Sequence, residues 1–330
     1  MVLTTASRLI TESLVWDNHG CMPLRHEDET FLPQLVRYRN SGIDIVSLNV
    51  GFDALPWENT IHMIAQFRRW IGLHSDQYHL VQSVEDVHLV RGSGRLGICF
   101  DIEGGNSLNA DAGLVQLYYD LGIRWMLMAY NQNNLLGGGC MDDDCGLTDF
   151  GREVISEMQR VGMVVCCSHA GPRTASDILD FAEQPVIFSH SNPLGVWQHR
   201  RNISDELIRA CAESGGVIGI NGIGVFLGKN DNRTETFVRH LDYVVQLVGS
   251  QHVGISLDFV FDDAEVAGYI EKFPHLFPPE EGVEGEPARC VRPEQLEDIV
   301  NALMNLGYSD DDLRAILGGN HLRVAGAVWK

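Results

Sequence analysis

The chain has 330 residues, of which 45% are hydrophobic, so it is long enough for one large domain or two of ordinary size. Its 45 acidic residues outnumber 24 basic ones and give a formal net charge of −21, which argues against nucleic acid or an anionic membrane as partner. The first residues lack the basic and apolar regions of a secretory signal, and no apolar run is as long as a membrane span, so we expect a soluble, cytoplasmic protein.

Eight short segments rich in β-branched or apolar residues recur along the chain, and they are typical of strands buried on both faces. Helical stretches lie between most of them; in one of these, Ser204 is a good N-cap and Gly215 can end the helix. Alternating strands and helices predict a parallel sheet, and eight strands predict an α/β fold of the closed (β/α)8 TIM-type barrel, as a single domain over residues 1–330. In chain order the segments are 13–19, 44–50, 96–104, 123–130, 163–170, 185–191, 216–222 and 252–258.

Polar side chains follow these predicted strands at their carboxyl ends, where (β/α)8 barrels carry their active sites. Two stretches expected to be irregular, 131–146 and roughly 259–290, follow the same ends of the fourth and eighth strands. Histidines and carboxylates that follow apolar strands are hard to explain as core residues, because unpaired buried polar groups cost several kcal/mol. The residues at the strand ends are His19, Cys21, Glu103, Tyr130, His169, His190 and Asp258.

Imidazole and carboxylate ligands without a cysteine cluster are typical of zinc or another divalent ion that keeps a position open for water. The candidates exceed the needs of one tetrahedral ion, so we expect two ions that share Glu103. Two such ions lower the pKa of bound water and polarise a carbonyl, which is the chemistry of amide hydrolysis. The expected first set is His19, Asp258 and, if a thiolate binds, Cys21; the second set is His169 and His190.

Seven segments carry a resemblance to one known family, in matching order and spacing: DNHGCMP (17–23), IEGGNSL (102–108), CSHA (167–170), FSHSNP (188–193), RRNISDE (200–206), HVGISLDF (252–259) and GGNHLRV (318–324). The chain resembles the membrane (renal) dipeptidase family of zinc peptidases, within the amidohydrolase-like barrels, nearly from end to end. The likeness is to a soluble member of bacterial type with a variant first metal motif. It implies a binuclear zinc hydrolase, with metal roles at His19, Glu103, His169 and His190.

The resemblance also implies residues for catalysis and substrate binding. Arg201 corresponds to the arginine that holds the carboxylate of the substrate's C-terminal residue; outside this family it would read as a surface residue before the N-cap at Ser204. Asp258 corresponds to an aspartate that takes the proton from the attacking water and passes it to the leaving amine. Phe226 falls where the family has a tyrosine that faces the substrate.

Two positions depart from the family pattern. Cys21 stands where the family has an aspartate ligand, and a softer thiolate either preserves the first metal site, changes its preferred metal or leaves it weakly filled or empty. Tyr130 replaces the histidine that stabilises the developing oxyanion, and it can still donate a hydrogen bond but carries no positive charge.

These features predict a zinc-dependent, dipeptidase-like hydrolase that cleaves the amide bond of a dipeptide or a small N-acyl amino acid by a metal-bound hydroxide. Two alternatives remain open. One is an amidohydrolase that acts on another small metabolite, such as a cyclic amide or a lactone. The other is a catalytically impaired binding or accessory protein. The family resemblance also implies a homodimer.

Overall fold

The structure is a computed structural model that describes residues 4–277 and 287–330. The paired strands of its sheet run parallel, and most strand residues are buried, as expected for a sheet covered by helices. The strands are β1 (Trp16–Cys21), β2 (Ile45–Phe52), β3 (Tyr78–Leu80), β4 (Leu96–Glu103), β5 (Ile123–Leu127), β6 (Val164–Cys166), β7 (Ile218–Asn221), β8 (Val253–Ser256) and β9 (Phe259–Val260).

Eight of the chain's segments close into one barrel. Hydrogen bonding joins seven strands in the order β6, β5, β4, β2, β1, β8 and β7. The remaining position is filled by residues 187–188, because Ile187 bridges Cys166 of β6 and Phe188 bridges Ile218 of β7. Each of the eight predicted segments therefore supplies one barrel position, and the predicted (β/α)8 fold is confirmed.

Two short strands lie outside the eight predicted segments. β3 pairs with the start of β4, and β9 pairs with the end of β1 at Gly20 and Cys21. A strand of two or three residues is too short to show a periodic pattern of apolar side chains, so sequence reasoning did not detect either one. β9 matters for function because it binds the chain after β8 to the strand that carries His19.

Helices cover the outside of the barrel, and short 3₁₀ or π turns occur at 32–35, 105–108, 250–252, 293–295 and 315–319. Ser204 caps its helix as predicted, since its side chain accepts a hydrogen bond from Leu207 N. Among the described helices, none combines the length and the apolar character needed to cross a bilayer. The helices are α1 (Thr5–Glu12), α2 (Val36–Asn40), α3 (Trp57–Leu73), α4 (Val84–Val90), α5 (Leu114–Asp120), α6 (Asp149–Val161), α7 (Pro172–Phe181), α8 (Asp205–Glu213), α9 (Gly224–Leu227), α10 (Thr234–Val248), α11 (Asp263–Lys272), α12 (Leu296–Asn305), α13 (Asp310–Arg314) and α14 (Asn320–Val328).

The prediction of an irregular stretch over 259–290 is wrong in part, because this stretch contains β9 and α11. Asp262 caps α11 by accepting a hydrogen bond from Ala264 N. No residue of α11 is fully buried, so the helix lacks the strong apolar periodicity by which the other helices were recognised. Residues 278–286 of the same stretch lie outside the described residues.

Candidate metal centre

Three histidines surround one carboxylate oxygen at the carboxyl end of the barrel. Glu103 ends β4, His19 lies in β1, His169 follows β6, and His190 follows the bridging residues 187–188. The Nε2 atoms of His190, His19 and His169 lie 3.3, 3.4 and 3.6 Å from Glu103 Oε1. This oxygen is buried and has no hydrogen-bond partner among the described residues. An orphaned carboxylate oxygen facing three imidazoles is the arrangement that a bound cation completes.

Cys21 and Asp258 lie beside the same cluster, next to His19. Cys21 Sγ is 3.1 Å from Asp258 Oδ1 and 3.5 Å from His19 Nε2, and His19 Nε2 is 3.5 Å from Asp258 Oδ1. These three residues form one group with ligand atoms close enough for a metal ion, and His19, Glu103 and His190 form another. The structure thus brings together all six predicted ligand residues.

Neighbouring side chains orient the rings of His169 and His190. His169 Nδ1 donates a hydrogen bond to Asn131 Oδ1 (2.7 Å), and the amide of Asn131 is itself held because its Nδ2 donates to Leu276 O (2.8 Å). His190 Nδ1 lies 2.8 Å from Ser189 Oγ. The two Nε2 atoms are 2.9 Å apart. With its Nδ1 protonated, His169 directs the lone pair of Nε2 into the centre, as metal-ligating histidines do.

Asp101 orients the third histidine, and sequence reasoning missed it. Its carboxylate lies 3.4 Å from His19 Nδ1 and accepts a hydrogen bond from Ser47 Oγ (2.7 Å). A carboxylate behind a ligand histidine fixes the ring and increases its basicity. Asp101 precedes Glu103 by two residues on β4, and side chains two residues apart on a strand lie on the same face. This spacing could have indicated Asp101 from the sequence.

Burial and charge make this centre unfavourable without a cation. Burial raises the pKa of Glu103 to about 8. Burial also lowers the pKa of His169 and His190 well below the usual value, so both imidazoles are neutral, as metal ligands must be. Burial lowers the pKa of His19 as well, but the carboxylates of Asp101 and Glu103 more than offset this and raise it to about 10. A proton on His19 therefore takes the place of the charge that a metal ion supplies, and the residues fit such an ion.

Three residues of the site have left-handed backbone conformations. The φ angles are 60° at Asn131, 66° at His169 and 52° at Asp258. Residues other than glycine avoid this region, and such strain is retained mainly where function requires a particular direction of the side chain. Each of the three residues follows a strand that ends earlier than the sequence predicted, at Leu127, Cys166 and Ser256.

Asp53 is a second residue that sequence reasoning missed, and it holds three strand-end loops together. Its half-buried carboxylate accepts hydrogen bonds from Asn106 N (2.8 Å), Asn134 Nδ2 (2.8 Å) and Tyr130 N (3.2 Å). Burial raises its pKa to about 6. Gly104 has a φ of 119°, and a Cβ there would lie 2.2 Å from the Asp53 carboxyl carbon, so only glycine allows this approach. Asp53 thereby positions Tyr130 beside the centre.

A cavity of about 580 Å³ opens above the cluster. Arg201 lines it but is only 3% exposed, so the alternative of a surface arginine is wrong. Its NH2 group donates to His190 O (3.3 Å), its guanidinium lies 5.2 Å from the centre of the Phe226 ring, and its buried Nε has no hydrogen-bond partner among the described residues. The cavity is also lined by Cys21, Glu103, Tyr130, His169, Phe226 and Asp258, whereas His19 and His190 lie fully buried beneath it.

Comparison with known proteins identifies the family to which this site corresponds. Residues 4–277 match the family model described as membrane dipeptidase, peptidase family M19. A crystal structure of an amidohydrolase from Pseudomonas aeruginosa is 26% identical, with a TM-score of 0.88 over 99% of this chain and 99% of that one. An uncharacterised dipeptidase of Schizosaccharomyces pombe is 30% identical over 212 residues, which are 61% of this chain and 50% of the relative. Dipeptidase aclJ of Aspergillus oryzae is 27% identical over 278 residues, or 82% of this chain and 61% of the relative. The chain spans about half to three fifths of the length of the curated relatives it matches.

Proposed function

Because the chain belongs to the membrane dipeptidase family, peptidase family M19, we propose that it is a metal-dependent hydrolase that cleaves the amide bond of a dipeptide or a small N-acyl amino acid. One observation carries the proposal: the buried Glu103 Oε1 lacks a hydrogen bond while three imidazole Nε2 atoms lie 3.3 to 3.6 Å from it. A protein that needed these groups only for folding would pair them with one another or replace them with apolar side chains.

The proposed cofactor is zinc, as two ions that share Glu103. His19, Asp258 and Cys21 would hold the first ion, and their ligand atoms form one close group. His169 and His190 would hold the second, since their Nε2 atoms are 2.9 Å apart and lie 3.6 and 3.3 Å from Glu103 Oε1. When bound, the ions supply Lewis acidity, which polarises the scissile carbonyl and lowers the pKa of the attacking water.

The chain's own residues are proposed to move the proton and stabilise charge. Asp258 takes the proton from the attacking water and passes it to the leaving amine, and its other carboxylate oxygen is held by Asn221 Nδ2 at 2.8 Å. Tyr130 stacks on His169 with ring centres 4.2 Å apart. Burial raises the pKa of Tyr130 well above its usual value, so its hydroxyl stays protonated and can donate a hydrogen bond to the developing oxyanion.

Arg201 and Phe226 are proposed to bind the substrate. Arg201 lines the cavity, and its guanidinium can pair there with a substrate carboxylate. We further propose that residues 1–330 form one domain, that the protein is a homodimer, and that it works in the cytoplasm, where its eight free cysteines would stay reduced.

Zinc content and hydrolysis, measured on the same preparation, test the proposal. We expect about two zinc ions per chain, hydrolysis of at least some L,L or L,D dipeptides or N-acyl amino acids, loss of activity on chelation and recovery on adding zinc. Hydrolysis of only cyclic amides or lactones would support the second candidate, which the departures at Cys21 and Tyr130 favour. Fewer than about one ion per chain, without rescue by zinc, would contradict both and support an accessory protein.

The Cys21 thiol should be a ligand of the first ion, because its Sγ lies 3.1 and 3.5 Å from two other candidate ligand atoms. In cobalt-substituted protein we expect a sulfur-to-metal charge-transfer band in the near ultraviolet. Cys21→Asp should abolish the band while retaining the metal, since a carboxylate replaces the thiolate. Cys145→Ser is the matched control, because Cys145 is an exposed thiol. An unchanged spectrum in Cys21→Asp would show that the sulfur does not bind.

A further inference from the structure

The cavity above the metal centre is larger than the reacting groups require. Its volume of about 580 Å³ lies within the range of roughly 300–1,000 Å³ that is typical of pockets for drug-sized ligands. An amide bond and a carboxylate bound to Arg201 would occupy only one part of this space. The residues of the remaining wall would therefore contact the other half of the substrate, and their chemistry indicates what that half is.

An aromatic surface leads from the metal centre to the far wall of the cavity. The Tyr130 ring stacks on His169 at 4.2 Å and meets the edge of Phe52 at 5.2 Å, and Phe52 contacts Tyr269 of α11 at 5.1 Å. Phe277 adds a further ring, 6.1 Å from Tyr130. Contacts of this length are ordinary aromatic packing distances, so the rings form one continuous apolar surface.

Helix α11 directs one face toward the cavity. Val266, Tyr269 and Ile270, spaced three and four residues apart, all line it. Ile270 is nevertheless 43% exposed, which is unusual for a large apolar side chain in a concave site. A bound apolar group would remove this surface from water and so be stabilised by the hydrophobic effect.

Phe52, which contacts Tyr269 of α11, and Arg201 follow opposite positions of the barrel ring. Around the ring, Phe52 ends the second barrel position, and Arg201 follows the sixth, formed by residues 187–188. In a ring of eight, these two positions face each other across the centre. A substrate with its carboxylate at Arg201 and its amide above Glu103 would therefore extend its acid half toward Phe52 and α11. The acid half is the part on the carbonyl side of the scissile amide bond.

The carboxylates in this wall are already paired. Asp262 and Glu265 line the cavity, but Arg25 contacts both of them, with N···O distances of 2.9 and 3.0 Å. Glu265 also accepts a hydrogen bond from Leu24 N at 3.1 Å. Arg25 also contacts Asp28, with an N···O distance of 3.1 Å, so one guanidinium is shared among three carboxylates. The ammonium group of a dipeptide would have to compete with this guanidinium for Asp262 and Glu265.

We infer that the acid half of the substrate is a large apolar acyl group, so that the enzyme prefers N-acyl amino acids with an arylalkanoyl or medium-chain acyl group over dipeptides with a free amino group. This inference rests on the proposed function and specifies its substrate class. Hydrolysis consumes one water and yields the apolar carboxylic acid and the amino acid. The proton that the water loses ends on the nitrogen of the leaving amino acid.

Three compounds test the inference with the zinc-loaded protein: 3-phenylpropanoyl-alanine, phenylalanyl-alanine and acetyl-alanine, each made with L- and with D-alanine. The first two differ only in the amino group. We expect kcat/KM for the phenylpropanoyl compound to exceed that for acetyl-alanine by about 10- to 100-fold, as burial of a phenyl ring predicts, and to exceed that for phenylalanyl-alanine. A preference for the free-amine compound, or equal rates with the acetyl compound, would overturn the inference.

A variant pair on α11 places the effect in this wall. Ile270→Asp puts a charge on the cavity face and should lower the preference for phenylpropanoyl over acetyl by at least about tenfold. Ala267→Asp adds the same charge on the exposed side of the same helix and should leave the preference unchanged.

Calorimetry of phenylpropanoyl-alanine binding separates the two proposals. Tight binding without hydrolysis, weakened in Ile270→Asp only, would support the apolar subsite and overturn the proposed hydrolase. The absence of both binding and hydrolysis would overturn both proposals.

Discussion

Glu103→Gln is expected to lower kcat/KM by at least about 10³-fold and to reduce the bound zinc from about two ions per chain to about one or fewer. The change keeps the size of the side chain but removes the negative charge that faces three imidazoles at 3.3 to 3.6 Å. A metal ion supplies several kcal/mol of transition-state stabilisation, and about 4 kcal/mol corresponds to a factor of about 10³ in rate.

Metal content by mass spectrometry and steady-state kinetics check this prediction, with Glu153→Gln as the control on an exposed position of α6. Folding is checked on the metal-free protein. Because burial raises the pKa of Glu103 to about 8, an ionised carboxylate there opposes folding at neutral pH, and the Gln variant should have a Tm no lower than that of the wild type. Full zinc content together with unchanged turnover in Glu103→Gln would refute the proposed shared ligand.

Arg201→Met is expected to lower kcat/KM by about 10²- to 10³-fold for substrates with a free carboxylate. Arg201 lines the cavity and is only 3% exposed, so a bound carboxylate would be paired in a site with little water. Removing one partner of such a buried, hydrogen-bonded charge pair costs about 2–5 kcal/mol. Most of the loss should appear in KM, because the carboxylate lies away from the reacting amide.

Two controls separate carboxylate binding from general damage to the site. Arg200→Met removes the neighbouring guanidinium, which is exposed and donates to Asp142 O at 3.4 Å, and it should leave the kinetics unchanged. A substrate whose carboxylate is replaced by a carboxamide should react equally poorly with the wild type and with Arg201→Met. If Arg201→Met impaired the carboxamide as strongly as the free acid, the arginine would act on the fold or the metal centre instead.

Much of the site was predictable because strand ends in a parallel barrel meet at one edge. His19, Glu103 and His190 needed only their positions after apolar segments and the predicted closure of eight strands. Asp101 was also predictable in principle, since it shares a strand face with Glu103. Asn131 was not, because it reaches His169 from a loop with a left-handed backbone, and loop conformation has no periodic signal.

The outer half of the cavity was beyond sequence reasoning for a different reason. Helix α11 has no fully buried residue, so no strong apolar pattern marked it, and its contact with Phe52 joins it to the end of β2, far away in the chain. The pairing of Asp262 and Glu265 with Arg25 likewise connects residues far apart in the chain. Composition alone suggested only that such acids were solvated surface charges.

The barrel, the chemical type of the site and its candidate ligand residues were predictable from the chain alone, because burial patterns, the number of strands and residue types at strand ends are local properties. The distances between those residues arise only in the folded chain. Cys21 and Asp258 are 237 positions apart, yet ring closure and the β9 pairing place their side chains 3.1 Å from each other. The burial of Arg201, the support from Asp53 and Asp101, and the apolar wall of the cavity likewise depend on distances that arise only when the barrel closes.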